Sequence, residues 1–140
     1  MKKDTTAYGA ERPAWDKADC SVRALATAAG VSYAAASVAF SAFGRQLRQG
    51  TPIHLSHRLH EQALGMRRIE TAAGMSLGEF VKIAQTGRFV VHKKRHAFAI
   101  VNGVVHDWQD TSSERTTIVE VWKVTEETRA KLQRIEEALK

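Results

Sequence analysis

"HAFAIVNGVVHDW", residues 96–108, decides the reading of this chain. Asn102-Gly103 lies between two apolar, β-branched runs. A type I′ turn needs positive φ at both central positions, and asparagine and glycine supply it, so the stretch reads as a two-residue β-hairpin. That turn sets the register: Val101 faces Val104, Ile100 faces Val105, Phe98 faces Asp107 and His96 faces Gln109. Directly opposed residues share a face of the sheet. Phe98, Ile100 and Val105 mark that face as core, and His96 and Asp107 continue it toward the open end of the hairpin. These two are diagonal neighbours, roughly 7–8 Å apart at the backbone. A carboxylate placed there accepts a hydrogen bond from the imidazole and fixes its tautomer. A charged aspartate on a core face needs such a partner.

Working outward, "FVV" (89–91) and "TTIVEVWKV" (116–124) read as further strands, and "MRRIET" (66–71) as a short one. Trp122 alternates with valines, so it is compatible with either face. Helices dominate the first half. Asp19 is an N-cap for a helix carrying Val22, Leu25, Ala26 and Ala29 at helical spacing and closed by Gly30. Its other side is also small, with Ala24, Thr27 and Ala28, which marks it as central and buried. Ser32 caps a second helix through Phe43. Thr51-Pro52 starts a third that ends near Gly65. "MSLGEFVKIAQTG" (75–87) has a capping box in Ser76 and Glu79 and a hydrophobic staple in Met75 and Phe80, with Gly87 as its stop. Thr125 opens a charged amphipathic helix with Leu132, Ile135 and Leu139 on one side. Glu127–Lys131 and Glu136–Lys140 sit at i,i+4 on it. Helices first and antiparallel strands second predict an α+β fold: N-terminal helices packed on a C-terminal antiparallel sheet, with a C-terminal amphipathic helix. Residues 1–14 are polar and aperiodic and read as a flexible arm before a single domain, 15–140.

The chain has 140 residues, with 21 Lys and Arg against 15 Asp and Glu, a formal charge of +6. A basic surface favours acidic partners without choosing among them. Cys20 is the only cysteine, which excludes an intrachain disulfide and suits a reducing compartment. The first residues lack the apolar run of a signal peptide, and no apolar run approaches the ~20 residues of a membrane helix. The expectation is a soluble cytoplasmic protein with no membrane partner.

Cys20 follows Asp19 at the start of the buried helix. A helix N-terminus carries partial positive charge and lowers a thiol pKa. On a helical wheel Cys20 lies opposite Val22, Leu25 and Ala29, so it does not belong to their stripe. The helix is the natural one to pack on the face carrying Phe98 and Ile100. A thiolate, an imidazole base and an orienting carboxylate then make a Cys-His-Asp triad.

The Cys at the head of a buried helix in "DCSVRALA" and the strand pair "RHAFAIVNGVVHD" resemble the papain-like cysteine peptidase superfamily, nearest to small peptidase C39-like proteins of phages and bacteria. The resemblance spans roughly residues 15–108. It implies a helical half packed on an antiparallel sheet, with thiol and histidine meeting at the junction. Cys20 would be the nucleophile, His96 the general base and Asp107 its orienting residue. The expected activity is hydrolysis of an amide, isopeptide or thioester bond in a peptide or protein substrate, with no cofactor and no metal. The family usually has a glutamine about six residues before the cysteine, donating to the oxyanion; here that position is Ala14. The Cys20 N–H supplies one donor, and Trp15 and Lys17 are candidates for a second. Trp108 and Gln109 complete the candidate cleft. The missing glutamine motivates an alternative: a catalytically weak or inactive accessory protein of the same fold, encoded by a phage and acting in the host cytoplasm. It would bind a host protein or nucleic acid through its basic surface.

Other features have plainer readings. His54, His57 and His60 recur every three residues and read as a polar helix face, not as a zinc site, which needs further ligands. "RQLR", "MRR" and "HKKRH" read as solvated basic surface, and His106 as exposed. Phe40, Phe43, Phe80, Phe89 and Phe98 read as core, leaving few aromatics for base stacking, so nucleic acid is the less favoured partner.

Overall fold

The computed structural model describes residues 1–7, 19–46, 50–51, 53–109 and 112–140. Ala14, Trp15, Lys17, Pro52 and the side chain of His54 lie outside the described residues. The elements in chain order are β1 (Lys2–Asp4), α1 (Cys20–Ala29), α2 (Tyr33–Ala42), α3 (Ile53–His57), β2 (Arg67–Arg68), α4 (Leu77–Ile83), β3 (Arg88–Lys93), β4 (His96–Val101), β5 (Val104–His106), β6 (Glu120–Lys123) and α5 (Glu126–Ala138). The fold is α+β, with one six-stranded sheet in the order β1-β5-β4-β3-β6-β2.

The hairpin forms in the register expected of its turn. Ala99 pairs with His106, Ile100 with Val105 and Val101 with Val104. Asn102 and Gly103 both take positive φ, at 47° and 80°. The Asn102 side chain also accepts a hydrogen bond from the Gly87 N–H at 3.1 Å, tying the turn to the start of β3. β3 pairs antiparallel with both β4 and β6.

The sheet is mixed rather than antiparallel throughout, because β1 runs parallel to β5. Residues 2–4, expected within a loose arm, are therefore an edge strand. Pairing needs only backbone N–H and C=O groups, so Lys-Lys-Asp joins a sheet edge without an apolar pattern.

α1 is buried on almost every side, as its composition requires, but it covers the other face of the sheet from the one expected. It packs with Val90, Ala97, Ala99 and Trp122. Phe98, Ile100 and Val105 instead face Leu77, Phe80 and Val81 of α4. The reason is shape: the alanines of β4 form a flat strip on which the alanine-rich helix approaches closely, while the bulky positions fill the space under α4. With both faces covered, β4 is buried from His96 to Ile100, as a continuous apolar run implies.

Local signals mostly hold, with instructive exceptions. The Ser32 side chain caps α2 through the Ala35 N–H. The Ser76 side chain caps α4 through the Glu79 N–H, but its hydroxyl bonds Glu79 Oε1, so the capping box closes between side chains. α4 stops at Ile83, short of Gly87. α3 continues into a π-helical segment, Arg58–Ala63, ending beside Gly65. The expected strand over 116–124 is regular only from Glu120. α5 is capped reciprocally by Thr125 and Thr128. Leu132 is fully buried and Ile135 packs beside it, whereas Leu139 at the frayed end is half exposed. The Lys131–Glu127 pair forms at 3.0 Å. Lys140 pairs with Glu137 instead of Glu136, because Glu136 accepts from the Ser32 N–H. No helix among the described residues is long and apolar enough to cross a membrane.

Candidate active site

Asp107 follows β5, and its N–H donates to Asp4 O at 3.0 Å, extending the β1 pairing. Its side chain is fully buried. Three donors hold it there. His96 Nε2 lies 2.7 Å from Oδ1, the Gln109 N–H donates to Oδ1 at 3.2 Å, and the Ser112 hydroxyl donates to Oδ2. Burial pushes the carboxyl pKa up, but the hydrogen bonds from His96 and Ser112 outweigh it and hold it at about 2. β1 ties this corner down, since Lys3 Nζ donates to Ser112 O at 2.7 Å.

His96 is the first residue of β4 and is buried. Its ring stacks on Phe98 at 6.0 Å and 23°, and Trp108 stands edge-on at 6.0 Å. The Arg23 guanidinium lies over the Trp108 ring, 4.6 Å from its centroid. Asp107 is ionised and can only accept, so Nε2 carries the proton of that bond. Nδ1 is left as the basic edge of the ring. It is buried and has no hydrogen-bond partner among the described residues. In the Ser-His-Asp template the assignment is reversed, with Nδ1 on the carboxylate and Nε2 toward the nucleophile. Burial alone would lower the His96 pKa; the bond and charge of Asp107, with Cys20 nearby, raise it to about 9.

Cys20 opens α1 and is half-buried. Burial pushes its thiol up, but the His96 imidazole, the Ala97 N–H and the Ser21 hydroxyl stabilise the anion, and the pKa falls below the ordinary thiol value. The thiol meets His96 at the tip of α1 and the first residue of β4, not through face-to-face packing. Asp19 stands at the N-cap with ψ 20°, not the extended value a capping side chain needs, and makes no side-chain cap. Its buried carboxylate accepts from the Tyr33 hydroxyl at 3.0 Å instead.

A cleft of ≈ 360 Å³ opens at this point. It is bordered by Cys20, His96 and Ala97, by Lys93, Lys94 and Arg95 of the β3–β4 turn, and by Gly50, Thr51 and Val119 opposite. The structure thus brings Cys20, His96 and Asp107 together. Trp108 covers the His96–Asp107 pair rather than lining the cleft. Gln109 contributes its backbone while its side chain is exposed. Trp15 and Lys17, the expected oxyanion and cleft residues, lie outside the described residues. Sequence reasoning missed Ser112, Ser21 and the Ala97 N–H. Only Ser112 had any signal, as a hydroxyl a loop's length from the aspartate.

The expected polar face of α3 is a correction. His60 is buried, with both ring nitrogens lacking a hydrogen-bond partner among the described residues. It packs edge-on to Trp122 at 5.5 Å. Burial, with His92 and His57 nearby, holds it neutral, far below the ordinary histidine value. His57 Nε2 lies 2.7 Å from the buried Glu120, which also takes the Trp122 indole N–H at 2.9 Å and Arg68 at 3.2 Å. No group of three or more His, Cys, Asp and Glu side chains among the described residues is placed to hold a metal ion. Three more surface expectations fail: in "HKKRH" only Lys94 and Arg95 are exposed, with His92 and His96 buried. Arg45 of "RQLR" is buried, and His106 is only part-exposed because β1 brings Asp4 to 3.7 Å from its Nδ1.

Comparison with family models, with curated proteins and with solved structures found no match to this chain.

Proposed function

We propose that this chain is a papain-like cysteine hydrolase of the small phage and bacterial C39-like type, cleaving an amide, isopeptide or thioester bond in a peptide or protein. The observation that carries the reading is His96 bonded through Nε2 to a buried, ionised Asp107, while its other nitrogen has no hydrogen-bond partner among the described residues and Cys20 borders the same cleft. The Cys20 sulfur attacks the substrate carbonyl carbon. The S–C bond forms and the C=O electron pair moves to oxygen. N–H groups at the start of α1, that of Cys20 first, donate to this oxyanion. The tetrahedral intermediate collapses, the bond to the leaving group breaks, and protonated His96 delivers its Nδ1 proton to that group. A water then attacks the thioester, giving its proton to Nδ1, and the acid product leaves as the thiolate–imidazolium pair reforms. Asp107 stays ionised and holds the ring. The single thiol suits the reducing cytoplasm expected for the chain.

Acylation by p-nitrophenyl acetate tests the reading. The expected result is a nitrophenolate burst of one equivalent per chain, with an acetyl group found on Cys20 by peptide mass spectrometry. A rate unchanged in Cys20→Ala, or acetyl groups only on lysines, contradicts it and leaves the binding-protein alternative.

A further inference from the structure

We infer that the Cys20 cleft is built for acidic peptides, with Lys94 and Arg95 receiving a carboxylate next to the carbonyl that is attacked. This rests on the reading of Cys20 as the nucleophile and adds the substrate class to it.

Two independent observations carry the inference. The first is charge. The rim beside Cys20 and His96 carries three consecutive cations, Lys93, Lys94 and Arg95, and among the described residues no carboxylate lines the cleft. Among the described residues the carboxylates around it, Asp19, Asp107 and Glu120, are buried and held by partners of their own. Lys93 is half-buried and already engaged, so the receiving groups are Lys94 and Arg95, both exposed. A recess with low-dielectric walls and charge of one sign focuses its field on what enters.

The second observation is the backbone. The sheet has two two-residue hairpin turns. The one remote from the cleft uses Asn102-Gly103, the residues that tolerate positive φ. The one at the cleft uses Lys94-Arg95, and Arg95 stands at φ 62°. A non-glycine residue other than Asn or Asp is uncommon there. Strained positions cluster at ligand clamps because the side chain is needed where the backbone would prefer glycine. Arginine is also the side chain that grips a carboxylate through two parallel hydrogen bonds. Because the reaction proposed for Cys20 acts on a carbonyl, the matching anion is the Asp or Glu side chain of a peptide.

The test compares alkylation of Cys20 by iodoacetate and by neutral iodoacetamide. In both, the thiolate displaces iodide and an S–C bond replaces C–I. The readout is the ratio of the two rate constants, which cancels changes in thiol nucleophilicity. The expected ratio exceeds that of 2-mercaptoethanol at low salt and falls toward it at about 0.5 M salt, where the Debye length is only a few ångströms. The double substitution Lys94→Glu/Arg95→Glu lowers the ratio at least about fivefold, as reversing two nearby charges requires. Lys82→Glu is the control for net charge. It lies near the Asn102-Gly103 turn, roughly 17 Å along β4 from His96, and leaves the ratio in place. A ratio equal to that of 2-mercaptoethanol, or unmoved by the double substitution, overturns the anion subsite even if Cys20 reacts as a low-pKa thiolate. A Cys20 that titrates like an ordinary thiol, or reacts with neither reagent, overturns the nucleophile reading and the subsite together. A glutamate-rich peptide should also slow the iodoacetamide reaction more than a DNA oligonucleotide of equal charge. The reverse order overturns the peptide assignment in favour of phosphate.

Discussion

His96–Asp107 and His57–Glu120 are both close histidine–carboxylate pairs, each 2.7 Å at the nearest atoms, and both carboxylates are buried. They differ in what surrounds them. Glu120 is shared: the Trp122 indole and the Arg68 guanidinium divide its lone pairs with His57, and no thiol is beside it. Asp107 gives its charge to one imidazole, and its remaining bonds come from a neutral hydroxyl and a backbone N–H. The other nitrogen of that imidazole has no hydrogen-bond partner among the described residues, and a thiol borders the same cleft. A carboxylate spread over several cations and donors stabilises a fold. One committed to a single imidazole raises that ring's basicity where a nucleophile needs it. The contrast lies in the far ring nitrogen, not in the shared 2.7 Å bond.

The largest expected difference is catalytic. Asp107→Asn should reduce turnover of an active ester by about 10⁴-fold, the loss that the matching change causes in serine-protease triads, where the wrong tautomer is held. Steady-state assay of the purified variant checks it, and a loss under tenfold would mean that Asp107 is only structural. Glu120→Gln should leave Cys20 acylation as it is and instead cost about 1.5–3 kcal/mol of stability, the range for hydrogen bonds to a charged group. Urea titration measures that loss, and a fall in acylation with unchanged stability would erase the distinction between the two pairs. His60→Leu should be neutral or stabilising by about 1 kcal/mol, because it removes buried polar atoms that have no partner. A strong destabilisation would assign His60 a role that its contacts do not show.

The pH dependence of stability tests His96, Asp107 and the buried His60. His96 is raised from 6.5 to about 9, so its contribution is fully present below about pH 6.5 and is lost as pH rises through about 9. Asp107 is depressed from 3.8 to about 2, so its contribution is present above about pH 3.8 and is lost as pH falls through about 2. His60 is depressed and neutral, so its burial favours the fold above its ordinary value and costs stability as pH falls below it. Thermal melts between pH 4 and 10 should show a decline on the alkaline side that disappears in His96→Gln. A decline that persists in the variant would place its origin elsewhere.

Much of the candidate site was legible because it follows from one turn. Asn102-Gly103 sets the register, the register puts His96 and Asp107 on one face, and the lone cysteine at a helix start completes the set. The rest depends on contacts between segments far apart in the chain, which local periodicity does not record. β1 is three charged residues whose only structural signal is backbone pairing. The face covered by α1 depends on fitting alanines to alanines across the sheet. Ser112 reaches Asp107 through a loop with no regular period. The His57–Glu120 pair joins residues from α3 and β6, and histidine spacing alone could not separate a solvated face from a buried one. Asp19 had the chemistry of a cap and was drawn away by the Tyr33 hydroxyl.

The most direct test is the rate of Cys20 alkylation by iodoacetamide across pH 5–10, in the unmodified chain and in His96→Ala. A thiolate–imidazolium pair predicts fast reaction well below the ordinary thiol pKa of ~8.5, and a roughly 10²-fold slower reaction at pH 6 in His96→Ala, where only a small fraction of an ordinary thiol is ionised. If both proteins follow one ordinary thiol titration, or Cys20 reacts only after unfolding, His96 does not activate the sulfur and the proposed chemistry is contradicted.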